Sequence, residues 1–197
     1  MDQQNIDKVI SNYLSKNIKF SDDNIFAAKL SLLDTLGCVY NASTYEEPMR
    51  FATRDVYGAN TNPFQVLEDI KSSNEIARYF SILTRWFDYN DTFLAEEWAH
   101  PSDNIGTALG YFIRHKEKNI SHFLQSIIQM YEIQGSLALG TSLNKKGYDH
   151  VFYVKLASGA VYSSLLSGQN PESISRTVNN VLPVSYTHLT LPTSDLV

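Results

Sequence analysis

Apolar residues recur at helical spacing along most of this chain. Ile6, Val9, Ile10, Tyr13 and Leu14 share one face of a helix expected over residues 3–16. Ser21, Asp22 and Asp23 supply capping groups for a second helix, whose expected buried face carries Ile25, Ala28, Leu32, Leu36 and Val39. Near its end, Gly37 and Cys38 suggest close approach to another helix. Residues 41–48 read as a loop, 49–57 as a short helix and 58–63 as a turn-rich connection, while 64–70 suit either strand or helix. A helix over residues 75–87 sets Ile76, Tyr79, Phe80, Leu83 and Phe87 on one face and delivers Asp88 at its polar end.

Ser102 or Asp103 can then cap a helix running through Ile105, Leu109 and Ile113. Residues 117–119 break the pattern before a strong helix bearing Ile120, Phe123, Leu124, Ile127, Ile128 and Tyr131, where Gly135 and Ala138 suit tight packing. His150 opens the next helix, with Val151, Val154, Val161 and Leu165 at core spacing and small residues at 157–160 that permit a close crossing. A last helix is expected over residues 172–182. These elements predict an all-α fold, a helical bundle.

Composition narrows the class. A chain of 197 residues, 43% hydrophobic and 19% charged, has material for one folded domain. At this size roughly 70% of the extended surface is buried. The net charge of -5 offers no basic footprint for nucleic acid. No apolar run approaches the roughly 18 residues of a membrane span, and the first residues lack the basic start and apolar core of a signal peptide. Cys38 is the one cysteine, which excludes an internal disulfide, fits a reducing cytoplasm and argues against an iron-sulfur cluster held by several thiolates. The expectation is a soluble cytoplasmic protein with no nucleic-acid or membrane partner and no metal.

Candidate chemistry concentrates in residues 88–106, where Asp88, Asn90, Asp91, Thr92, Glu96, Glu97, His100, Ser102, Asp103 and Asn104 lie between two apolar helical patterns. His100 falls just before an expected helix start. The free N-H groups and dipole there attract a carboxylate or phosphate and disfavour the imidazolium, leaving a neutral imidazole able to accept a proton. The competing reading makes the aspartates and Ser102 caps and turn formers, with His100 a satisfied loop histidine. Spacing alone favours that second reading. A metal-dependent hydrolase using Asp88, Asp91, His100 and Asp103 is a further alternative, although their spacing matches no recognised ligand pattern.

Longer words shift the balance. Arg85-Trp86-Phe87-Asp88-Tyr89-Asn90-Asp91-Thr92, followed by Glu97-Trp98-Ala99-His100-Pro101-Ser102-Asp103-Asn104, resembles the signature of the MmgE/PrpD family. Ser31-Leu32-Leu33-Asp34-Thr35-Leu36-Gly37-Cys38 resembles the family's early helix. Tyr148-Asp149-His150-Val151 with Val154-Lys155-Leu156-Ala157-Ser158 is a third match in the family's order. The resemblance covers most of the chain to about residue 182.

That resemblance implies the family's helical domain without its smaller α+β lid domain, and a hydro-lyase that removes water from 2-methylcitrate in the methylcitrate cycle of propionate catabolism. It implies no cofactor, a small tricarboxylate as partner and a homodimer. His100 and Asp88 would carry the proton transfers, with Thr92, His150, Ser102 and Asn104 binding substrate and Trp98 forming a wall. The family's pocket lysines come from segments beyond residue 182, so this chain alone is expected to be inactive. Decarboxylation of cis-aconitate or epimerisation of a related polycarboxylate would use a similar pocket. An all-helical interaction module is the non-enzyme alternative.

Residues 184–197 depart from the family. They resemble a translated sequencing adapter, the rivals being a natural polar tail or a terminal strand. The domain is therefore expected to end at residue 183, and His188 is excluded from every site.

Overall fold

Ser21 shows how directly the local chemistry sets the elements. Its side chain accepts the Asn24 N-H while the Asn24 side chain takes the Ser21 N-H, a reciprocal cap that starts a helix of 22 residues. In the computed structural model, backbone is described for residues 5–189 and side chains for residues 5–182. Among the described residues there are eight helices and no strand longer than a single bridge. They are α1 (Ile6–Leu14), α2 (Asp22–Ser43), α3 (Glu46–Thr53), α4 (Ser73–Arg85), α5 (Ile105–Arg114), α6 (Ile120–Gly140), α7 (Val151–Ser167) and α8 (Pro171–Leu189). The all-α expectation holds.

Two apolar cores divide the helices. The larger gathers Leu14, Ala28, Ile105, Phe112, Ile127, Met130, Leu156, Val161 and Ile174, and so joins α1, α2 and α5 to α8. The smaller gathers Val39, Met49, Ile76, Tyr79, Phe80 and Leu83 from α2, α3 and α4, with Val66 from the connection between α3 and α4. Tyr79 is fully buried, and its hydroxyl donates to the Pro63 carbonyl at 3.0 Å.

Glycines set the crossing of α4 with α5. A Cβ on Gly106 would meet Ser81 Oγ at 2.5 Å and the Ala77 carbonyl at 2.8 Å, and one on Gly110 would meet the Ser73 carbonyl at 2.5 Å. The two helices therefore touch backbone to backbone and run antiparallel. Gly159 similarly faces Val181 Cγ2 at 3.3 Å, where the small residues of α7 receive α8.

Several boundaries differ from the sequence reading. Residues 41–48 are not one loop: α2 continues to Ser43, and α3 begins at Glu46 with Pro48 in its first turn. Proline is tolerated there because first-turn N-H groups have no intrahelical acceptor. Residues 64–70 are neither strand nor α-helix but hold a 3-10 turn, Gln65–Glu68. Gly37 makes no close approach; a Cβ there would meet nothing within 4 Å. Its face of α2 is exposed, with Phe26, Leu30, Leu33 and Tyr40 all more than half exposed. Val151, placed at core spacing, is also exposed. Of the proposed tail, residues 190–197 lie outside the described residues.

Candidate active site

The chain leaves α4 through Arg85 and turns sharply at Asp88, whose φ of 59° is left-handed. Aspartate tolerates that region better than most residues. Arg85 reaches forward to pair with Asp88, lies 3.3 Å from Asn90 Oδ1 and sets its Nε 3.9 Å from Asp103 Oδ2. Asn90, buried, donates to Ser102 Oγ at 2.9 Å and to Asp103 Oδ1 at 3.0 Å. Burial pushes the Asp103 carboxyl up to about 6, against the opposing pull of Arg85 and His100.

Phe93 and Ala99 then pair as an isolated antiparallel bridge, each N-H donating to the other's carbonyl at 2.8 and 2.9 Å. The bridge pinches off a small loop that carries Glu97 and Trp98. Glu97 is almost wholly buried, its N-H donates to the Ala138 carbonyl, and its carboxylate accepts both the N-H and the side-chain amide of Asn144 at 2.8 Å. Burial raises its pKa, but these donors together with the Leu143 N-H and the Ser142 hydroxyl outweigh it and hold the group below the usual range. The loop is thereby tied to the end of α6. Trp98 comes to rest with its ring 3.8 Å from that of His150 and 5.6 Å, edge on, from that of His100.

His100 is buried, and its Nδ1 lies 2.7 Å from the Asp91 carbonyl. A carbonyl only accepts, so in the neutral ring Nδ1 carries the proton and Nε2 is bare. That Nε2 lies 3.8 Å from Asp88 Oδ1. His150 enters from the start of α7, with Nδ1 3.2 Å from Asp149 Oδ1 and its ring centre 6.4 Å from that of His100. Its Nε2 is buried with no hydrogen-bond partner among the described residues. Burial lowers its pKa and keeps it neutral, with Asp149 working the other way.

The structure thus brings His100, Asp88 and His150 together, with Trp98 packed beside both imidazoles. Thr92 is exposed, just before the bridge residue Phe93. Ser102 and Asn104, expected to bind substrate, are both 1% exposed or less. Ser102 Oγ accepts from Asn90, while Asn104 donates to the Pro101 carbonyl and to Gln134 and accepts from Ser158 Oγ. Neither Ser102 nor Asp103 caps the following helix: Pro101–Asn104 is a 3-10 turn that runs straight into α5 without a side-chain cap. The Ser102 N-H is taken by Asp91 Oδ1 at 3.0 Å. This end is already supplied with a carboxylate.

The sequence assigns Arg85, Asn90, Glu97 and Tyr131 no role of their own, and Asp91 only that of a ligand in the metal alternative, yet these five build the site. Only Arg85 left a local signal, its spacing of three residues from Asp88. No group of three metal-ligating side chains converges among the described residues, and both oxygens of Asp91 face hydrogen-bond donors rather than a shared centre.

A helical bundle presenting a buried imidazole beside a carboxylate is one solution for moving protons at carbon. Residues 9–182 match the MmgE/PrpD N-terminal domain, and the chain belongs to that family. It is similar to the mitochondrial 2-methylcitrate dehydratase of Yarrowia lipolytica, 34% identical over 82% of this chain and 34% of the relative. It is also similar to the 2-methylcitrate dehydratases of Escherichia coli K12, 34% identical over 82% of the chain and 35% of the relative, and of Cupriavidus necator, 36% identical over 71% and 31%. The chain spans about a third of the length of these curated relatives.

Proposed function

We propose that this domain serves a hydro-lyase that removes water from 2-methylcitrate to give 2-methyl-cis-aconitate, without a cofactor. The observation that carries the reading is His100, whose Nδ1 is held by the Asp91 carbonyl while Nε2 stands bare 3.8 Å from Asp88. His100 accepts the proton from the carbon beside a carboxylate, and the electron pair left behind forms the new double bond. The hydroxyl on the adjacent carbon leaves as water with a proton relayed through the His100-Asp88 pair, and Asp88 stabilises the imidazolium formed in between. Thr92 and His150 contact the carboxylates, and Trp98 walls the site. Ser102 and Asn104 hold the turn from behind.

Charge supports a need for further groups. Arg85 is the cation at this site, but it faces both Asp88 and Asp103. A tricarboxylate therefore requires cations from elsewhere in the longer protein, and the chain by itself is proposed to be inactive. The family match ending at residue 182 supports a domain of residues 1–183 with 184–197 foreign to it. The exposed apolar stripe of α2 supports a homodimer. No helix among the described residues is long and apolar enough to cross a membrane, and the single cysteine supports a cytoplasmic setting.

The test is to assay the full-length protein for dehydration of 2-methylcitrate, with cis-aconitate offered in parallel. Water loss from 2-methylcitrate supports the proposal. Decarboxylation of cis-aconitate alone moves the assignment to another activity of the family, and failure to bind any tricarboxylate favours a helical interaction module.

A further inference from the structure

We infer that Asp91 is a positioning residue that fixes the tautomer and aim of His100, and that Tyr131 anchors it. Asp91 grips the turn at two places. Its main-chain carbonyl takes Nδ1-H of His100 at 2.7 Å, and its Oδ1 takes the N-H of Ser102, two residues further on, at 3.0 Å. Its second oxygen accepts the Tyr131 hydroxyl of α6 at 2.9 Å. The carboxylate is thus held by a backbone donor and a side-chain donor from different elements, and neither it nor the carbonyl beside it can swing without breaking one of them.

The arrangement does more than cap a turn. A local serine or aspartate would satisfy the Ser102 N-H as well, but only a residue whose own carbonyl faces the ring also selects the tautomer. Asn90, next in sequence, braces the same turn by donating to Ser102 Oγ and Asp103 Oδ1, so the segment is fastened on both sides of its contact with His100. With Nδ1-H engaged, the lone pair on Nε2 is presented toward Asp88. Released from the carbonyl, the ring would turn about its side-chain bonds and populate the other tautomer, with Nε2 protonated and unable to accept. The catalytic meaning of this clamp rests on the reading of His100 as the proton acceptor; the clamp itself does not.

The experiment reads the ring directly. The 197-residue chain is labelled with 15N, and two-bond imidazole 1H-15N correlations are recorded above neutral pH, with His100 assigned by its loss in His100→Gln. The expected result for the unaltered chain is a single tautomer with Nδ1 protonated. Tyr131→Phe, close to isosteric, leaves Asp91 one donor short and shifts part of the population to the Nε2-protonated form, and Asp91→Ala gives a fuller mixture. Amide spectra verify folding, and should Asp91→Ala not fold, Tyr131→Phe decides. An Nε2-protonated His100 in the unaltered chain, or an unchanged tautomer in the folded variants, overturns the inference. No turnover is measured, so this outcome is independent of whether the longer protein dehydrates 2-methylcitrate.

Discussion

Nε2 of buried His100 lies 3.8 Å from Oδ1 of exposed Asp88, across the junction where α4 ends and α5 begins. A buried imidazole and a carboxylate open to water meet at one point.

His100→Ala in the full-length protein is expected to lower kcat about 10²–10⁴-fold, the usual worth of a positioned acid-base group. It leaves the Asp91 carbonyl without its partner, at a stability cost of about 1–3 kcal/mol, well short of unfolding a sound domain. Kinetics alongside circular dichroism check both halves. Near-normal dehydration would strike His100 from the mechanism.

Asp88→Asn preserves shape but removes the charge that faces His100 and Arg85. A loss of kcat of about 10²-fold is expected, with helix content unchanged. Unaltered turnover would reduce Asp88 to a turn former.

Asp103 sets a pH dependence of stability. Its folded-state pKa is raised to about 6 by burial, from an ordinary 3.8. Its contribution to stability is therefore complete below 3.8 and is lost as pH rises through 6, because the unfolded chain ionises first. His150 works in the opposite sense: its lowered pKa favours the folded state above an ordinary 6.5, and that contribution is lost as pH falls through the folded value. Asp103→Asn should remove the loss between about pH 4 and 6, read as urea midpoints across that range. A variant with the same pH profile as the parent would show that burial does not perturb this carboxyl.

Two glycines should respond in opposite directions. Gly106→Ala drives a methyl into Ser81 and the Ala77 carbonyl and should cost about 1–3 kcal/mol or more. Gly37→Ala meets open space on a helix and should stabilise by about 0.5–1 kcal/mol. Thermal midpoints moving the same way in both would contradict the described crossing.

The helices were legible because their apolar periods are long and their caps local, as at Ser21. Contacts distant in sequence were not. Nothing near Gly37 or Gly106 tells which glycine faces a neighbour, since both sit in apolar helical patterns. His100, Asp88 and His150 stood out through the family words, but whether a side chain faces substrate or scaffold depends on its partners. Ser102 and Asn104 bond to Asn90 and Ser158, and Tyr131 reaches Asp91 across 40 residues of chain.

The backbone contact of α4 with α5 bears on how a substrate could gain access. Because Gly106 and Gly110 leave no slack against Ser81 and Ser73, the helices cannot slide past one another without collision. Asp88 at the end of one helix and His100 before the other therefore travel as a single body. The gap between that carboxylate and that imidazole is thus set by the helix crossing, while the tie of Glu97 to the end of α6 sets where the Trp98 ring rests beside His100.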